Sequence, residues 1–171
     1  MNVIIDFFAD VPLVFRTSIL LGGIVLFWIL EGIIPLYSFN YKKGRHAFLN
    51  LLFTTTTAII GFGFAFLLLK STEIVNEFQF GVIHFFELPL FVEVIISLLI
   101  LDLVGAYLVH FVEHKVPWMW KFHVIHHSDK NVDVTTGLRH HPGETVFRIL
   151  FTILGVYASG ASIGIVMLYQ S

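Results

Sequence analysis

The sequence has 171 residues, of which 57% are hydrophobic, 16% aromatic and 13% charged, and its mean hydropathy is +0.86. Soluble domains are about 45–50% apolar and about 25% charged, so the composition excludes disorder, a coiled coil and a basic nucleic-acid-binding domain. A formal charge of −2 gives no field that draws a polyanion, and the absence of cysteine excludes disulfide scaffolds, thiolate zinc sites and Cys nucleophiles. At this length residues 1–171 are expected to form one domain, and its medium is a bilayer.

In chain order, four apolar stretches are long enough to cross a hydrocarbon core, which takes about 20 helical residues. The first runs from Pro12 to Tyr37, with Arg16 and Glu31 near its ends and Trp28 and Tyr37 available to the interface. No basic n-region or cleavage signal precedes it, so no removable targeting peptide is expected. The second, Ala47 to Leu69, holds no charge. Ser71–Glu87 carries too many charges to span, and Phe78, Phe80, Phe85 and Phe86 suit it to the interface. The third stretch, Leu88 to Val112, contains Glu93 and Asp102; the fourth, Thr145 to Leu168, contains Gly160 and Gly164 in a close-packing pattern. The expected fold is therefore an all-α integral membrane protein of about four transmembrane helices. An up-down path puts Lys42, Lys43, Arg45, Lys115, Lys121, Lys130, Arg139 and Arg148 on one side, against Arg16 and Lys70 on the other. By the positive-inside rule the basic side is cytoplasmic.

That side also carries a histidine-rich, helical segment. Seven of the nine histidines lie between His110 and His141. His110 and His114 are four apart, which places both imidazoles on one helical face. His123, His126 and His127 are spaced i, i+3, i+4, again one face. Between the two groups, Lys115–Trp120 holds Pro117 and two tryptophans, a bend at the membrane surface that folds the second group toward the first. Imidazole suits iron, zinc, copper and nickel. The lack of Cys argues against structural zinc, and the scarcity of carboxylates argues against the soluble di-iron pattern. An HExxH zinc hydrolase does not fit, because Glu113 stands beside His114 rather than after the first His. Asp102 lies eight residues before His110 and is read as accepting the free N–H of a ligating His, since a carboxylate within a span needs a partner. His46 and His84 are read as interfacial polar residues.

The strings HFVEH, WKFHVIHHSD and DVTTGLRHHPGE resemble the fatty acid hydroxylase (sterol desaturase) superfamily of integral-membrane non-haem di-iron oxygenases. The resemblance is strong over about Leu101–Arg148 and looser, as hydrophobic spans, before it. It implies iron ligands at His110, His114, His123, His126, His127 and His141, with His140 a neighbour. It also implies Arg139 and Glu144 as residues holding the loop, although each also reads as a solvated interfacial charge. The implied activity is hydroxylation or desaturation of a lipid or sterol-like substrate with O₂. Electrons would come from an external donor, cytochrome b5-like or ferredoxin-like, docking on the basic side. Zinc is the alternative metal. The family also carries a lone His and a third HxxHH box farther along, which these residues lack. The expectation is therefore a C-terminally incomplete domain, either a fragment or a reduced member. Six imidazoles offer two irons three ligands each, so the chain alone is expected to hold metal loosely and to lack turnover.

Overall fold

The computed structural model describes residues 11–35 and 41–170. The expected interfacial Tyr37 and residues 38–40 of the first basic loop lie outside the described residues. The described part is helical, with no β-strand among those residues. Helix α1 spans Leu13–Ile33, α2 Lys43–Glu77, α3 Leu90–Asp102, α4 Val109–Lys115, α5 Pro117–His127, α6 Pro142–Ser159 and α7 Ile163–Tyr169. A π-helical turn, Leu103–Leu108, joins α3 to α4, and short 3₁₀ turns occupy Val82–Phe85 and Val134–Leu138.

Proline positions explain most of the helix starts. Pro12 and Pro89 stand immediately before α1 and α3, and Pro117 and Pro142 occupy the first turns of α5 and α6. A missing N–H costs nothing there, because the first-turn donors have no partner within the helix. The residue ahead of a proline is pushed out of the α region. Val116 is accordingly extended, at φ −95° and ψ 111°, and the chain turns there between α4 and α5.

Three of these helical stretches are long and apolar enough to cross a membrane: Val14–Ile33, Lys43–Phe85 and Leu90–Lys115. Their large apolar side chains face outward, Phe62 at 86% exposure and Phe66 at 71% being the extremes of α2. The second is longer than the expected Ala47–Leu69, since α2 continues through Ser71 and Thr72 to Glu77. Phe78, Phe80, Phe85 and Phe86 beyond it are all exposed.

The fourth expected span differs. Gly160 adopts the left-handed conformation at φ 85° and ends α6. The chain then turns back: a methyl group added at Gly105 would sit 3.1 Å from Thr152 Oγ1 on α6 and 3.6 Å from Tyr169 Oη on α7. Thr145–Leu168 is thus a helix and a short return, not one crossing helix. Gly160 and Gly164 lie on opposite sides of that turn and share no helical face. Hydropathy cannot register such a reversal, because the returning segment is as apolar as a continuing one.

The two ends of the molecule are distinct. At one end the Val82–Phe85 turn packs on the end of α6, where Gly81 and Gly160 touch backbone to backbone. Leu68, Val75, Leu101, Val156, Ala161, Ile165 and Val166 form the buried apolar cluster. At the other end the start of α2 meets the loop after α5. His46 Nε2 lies 2.8 Å from Asp129 Oδ2 and its Nδ1 lies 3.0 Å from Asp133 Oδ2. Asn50 donates to Thr135 Oγ1 at 2.9 Å, and the carboxylate of Glu31 accepts from the Val134 N–H at 3.0 Å. The histidine-rich segment belongs to this second end.

Candidate metal centre

The bend at Val116 lays α5 back against α4, and this brings the two histidine groups together. His110 and His114 from α4 and His123 and His127 from α5 place one ring nitrogen each within 4.8 Å of one another. His114 Nε2 and His110 Nε2 are 3.2 Å apart, and His127 Nε2 and His123 Nε2 are 3.0 Å apart. The i, i+4 spacing on each helix sets these two distances; the helix pairing supplies the rest. His123 is buried, His110 partly so, and His114 and His127 are exposed. Trp120 stacks on His127 at 5.0–6.0 Å ring separations from His114, His127 and His123, walling one side.

Beneath the imidazoles lie two carboxylates with no exposed surface, Glu113 of α4 and Glu144 of α6. One oxygen of Glu144 accepts three hydrogen bonds: from His123 Nδ1 at 3.1 Å, His140 Nδ1 at 2.9 Å and Arg148 Nε at 2.9 Å. Glu113 Oε2 is 3.4 Å from His123 Nδ1 and 3.6 Å from Arg148 Nη2. Burial alone would raise the Glu144 carboxyl, but the hydrogen bond and charge of His140, the charge of Arg148 and the bond from His123 hold it down at about 2. Burial pushes His123 down to about 4, against the pull of Glu144. The two directions agree: an ionised Glu144 accepts from a neutral His123 whose proton sits on Nδ1. His123 Nε2 is then a free lone pair aimed at His127.

The remaining candidates are not members of the four-imidazole group, although His126 adjoins it, its ring centroid 5.2 Å from that of His127 and 5.8 Å from that of His123. His126 stacks on His140 with ring centroids 4.7 Å apart and planes 10° from parallel, and its Nδ1 is buried with no hydrogen-bond partner. His141 caps α6, its Nδ1 accepting from the Gly143 N–H at 2.9 Å, and its ring packs on Phe122. Arg139 donates to the Ile125 carbonyl at 3.2 Å and to Asn50 Oδ1 at 3.5 Å, tying the end of α5 to α2. Asp102 is exposed and forms no hydrogen bond with His110 among the described residues. Eight helical residues rise about 12 Å, farther than an aspartate side chain reaches.

Two features escape a reading of the sequence. In sequence Glu113 bears only on a hydrolase pattern, and nothing in HFVEH says that its carboxylate faces a buried His123. His46 is no interfacial residue: it is 8% exposed and held between two carboxylates. Its partner Asp133 is held by a capping box with Thr136, Asp133 Oδ1 accepting from the Thr135 N–H at 2.8 Å while Thr136 Oγ1 accepts from the Asp133 N–H at 3.0 Å; with Thr in place of the usual Glu or Gln, the box lacks its ordinary sequence signature. His84 also turns inward, its ring against Gly160 and its Nε2 buried without a partner.

The donor set fits a borderline divalent metal such as iron or zinc. It is all imidazole, contains no thiolate, and offers neutral nitrogens. Ligand–metal bonds of about 2.0–2.1 Å at bond angles near 90–110° put donor nitrogens roughly 3 Å apart, as the two Nε2 pairs are. Two facing imidazole nitrogens at that distance need either a proton or a cation between them. A carboxylate on the far nitrogen of a ligating His is the common way of fixing its tautomer, and Glu144 stands in that place for His123.

Residues 94–171 match the fatty acid hydroxylase family. The chain is also similar to the ornithine lipid hydroxylase OlsE of Rhizobium tropici, at 24% identity over 164 residues covering 91% of this chain and 48% of the relative. The chain thus spans about half the length of that curated relative. No solved structure matches it.

Proposed function

Because these two similarities support the fatty acid hydroxylase superfamily for this chain, we propose that it is the metal-holding part of an iron-dependent membrane oxygenase acting on a lipid. The observation that carries this reading is the convergence of His110, His114, His123 and His127 at one end of an apolar span. Bound iron would supply the activation of O₂ needed to attack an unactivated C–H bond. The chain's own residues supply the rest. The four imidazoles hold the cation through neutral nitrogens. Glu144, with Arg148 behind it, keeps the His123 proton on Nδ1. The buried carboxylates and Trp120 keep water from the inner side of the cluster, while exposed His114 and His127 leave the outer side open to substrate. Apolar surfaces of the adjoining helices let a lipid chain approach without leaving the bilayer.

The relative's printed name favours hydroxylation over desaturation. Electrons would enter from an external cytochrome b5-like or ferredoxin-like donor, and Lys115, Lys121 and Lys130, all exposed on this segment, suit an acidic partner. The excess of basic residues supports a cytoplasmic position for the cluster. A second reading keeps the family but not the catalysis: these residues alone bind metal weakly or not at all. It is supported by the four-imidazole set, smaller than the six that the resemblance implies. Metal analysis of the chain purified in detergent from cells grown with balanced iron and zinc separates the cases. Iron retained by the chain and lost in His114→Ala, together with an O₂-dependent lipid product absent from the variant, is the expected result. Zinc at stoichiometric level without iron would favour a zinc enzyme, and no metal would favour the second reading.

A further inference from the structure

A cavity of about 270 Å³ opens at the start of α2, lined by Tyr41, Lys42, Arg45, His46, Leu49 and Asn131. None of the clustered imidazoles lines it, and neither does any carboxylate. Three acids lie close by, but each is occupied inside the protein. Glu31 accepts from the Val134 N–H at 3.0 Å and has Lys43 at 3.6 Å. Asp133 accepts from Tyr41 at 2.9 Å and faces His46, and Asp129 faces His46 and accepts from Thr136 at 2.8 Å. Lys42 and Arg45 are exposed, and their side chains form no hydrogen bond or ion pair among the described residues. The cavity thus carries two uncompensated positive charges. The exposed Asn131, from the loop after α5, adds a side-chain amide. Position matters as much as charge. The stretch that begins at Lys43 is long and apolar enough to cross a membrane, so Lys42 and Arg45 stand at the level of the lipid headgroups. Leu49 and Leu52, four and seven residues beyond Arg45, share its helical face and are exposed. A pair of cations therefore stands at the head of an apolar track. A free anion meets only the cations, and a zwitterionic lipid brings a cation of its own against them. An amphiphile with an anionic head and an apolar tail satisfies both parts.

We propose that this cavity binds the phosphate headgroup of an anionic phospholipid, with Lys42 and Arg45 on the phosphate oxygens and an acyl chain along Leu49 and Leu52. The proposal does not depend on the metal-binding reading above. Asn131 follows His127 by four residues, so a lipid held between Arg45 and Asn131 ties the start of α2 to the histidine-rich segment at the membrane surface.

The test is native mass spectrometry of the full chain in detergent, titrated with dioleoyl phosphatidic acid, dioleoyl phosphatidylcholine or inorganic phosphate. The chain should take up one phosphatidic acid at least about tenfold more tightly than either of the other two. The Lys42→Gln, Arg45→Gln double variant should lose at least about tenfold in that affinity. Asn131→Asp, which places a negative charge at the cavity from another element, should weaken it in the same direction. All three positions are exposed, so circular dichroism should show unchanged helical content. A Lys115→Gln, Lys121→Gln double variant removes the same charge from the same end of the molecule but away from the cavity, and should bind within about twofold of the unaltered chain. Equal loss in that control would show a diffuse attraction rather than a site and overturn the proposal. Equal binding of phosphatidylcholine, or unchanged binding in both cavity variants, would overturn it as well. Inorganic phosphate bound as tightly as the lipid would make the cavity a site for the free anion, and the lipid assignment would fall.

Discussion

Glu144 concentrates more of the site's chemistry than any single histidine. It has no exposed surface, and one of its oxygens accepts from His123, His140 and Arg148. That oxygen faces Nδ1 of both His123 and His140. Glu144→Gln removes that charge without changing the shape, and the amide must turn a donor or an acceptor toward three donors. We expect metal affinity to fall about 10–100-fold, the usual cost of losing a partner behind a ligand, with the helical content unchanged. Equilibrium dialysis against Fe²⁺ or Zn²⁺ under anaerobic conditions, paired with circular dichroism, checks both halves. An unchanged affinity would remove Glu144 from the site. Glu113 beside it has both carboxylate oxygens buried without a hydrogen bond, and Arg148 at 3.6 Å is the nearest compensating charge.

Helix ends decide where the functional elements sit. The break at Val116 lets α5 fold on α4, and Pro142 starts α6 two residues before Glu144, so that the carboxylate enters beneath His123. At the far end, Gly160 stops α6 in a left-handed conformation at φ 85°, and a methyl group there would meet His84 at 2.7 Å. A non-glycine residue held in that region costs about 1–3 kcal/mol. Gly160→Ala should therefore destabilise the chain by about that amount, and more if His84 cannot move aside. Thermal unfolding in detergent measures it, and only the part due to the clash with His84 should be relieved in a His84→Ala, Gly160→Ala double variant, the backbone strain remaining. A destabilisation that is equal in the presence and absence of His84 would show that backbone strain, not the contact, dominates. Metal binding at the opposite end should change little.

For the whole molecule, the clamp of Tyr41, His46 and Asn50 against Asp129, Asp133 and Thr135 holds the start of α2 and the histidine segment at one end. The turn around Val82–Phe85 packs on Gly160 at the other. Because α2 is long and apolar enough to cross a membrane between these ends, we predict that they face opposite sides of the bilayer, the basic residues gathering at the histidine end. A membrane-impermeant thiol reagent added to intact cells should label a cysteine introduced at Glu77, which is exposed, and not one at Asn131, which is also exposed. Labelling of the cysteine at position 131 alone would reverse the orientation and the placing of the centre with it. No native cysteine confuses the measurement.

The medium, the helical class and the histidine spacings within each group were legible in the sequence, because they depend on local quantities: hydropathy over about 20 residues, the 3.6-residue turn that pairs His110 with His114 and His123 with His127, and prolines that start helices. The motif around those histidines was legible for the same reason. What only the tertiary structure decided depends on contacts between residues distant in the chain. Hydropathy read Thr145–Leu168 as one span because it is blind to direction, and the left-handed Gly160 reverses it. His46 looked like an interfacial residue until Asp129 and Asp133, more than eighty positions away, closed on both its nitrogens. Asp102 shared a helical face with His110 but not its height along the axis. The surroundings of Glu113, and of His140 against His141, turn on which nitrogen faces which carboxylate or N–H. Adjacent identical residues carry no such difference in sequence; the packing of α6 beneath α5 creates it.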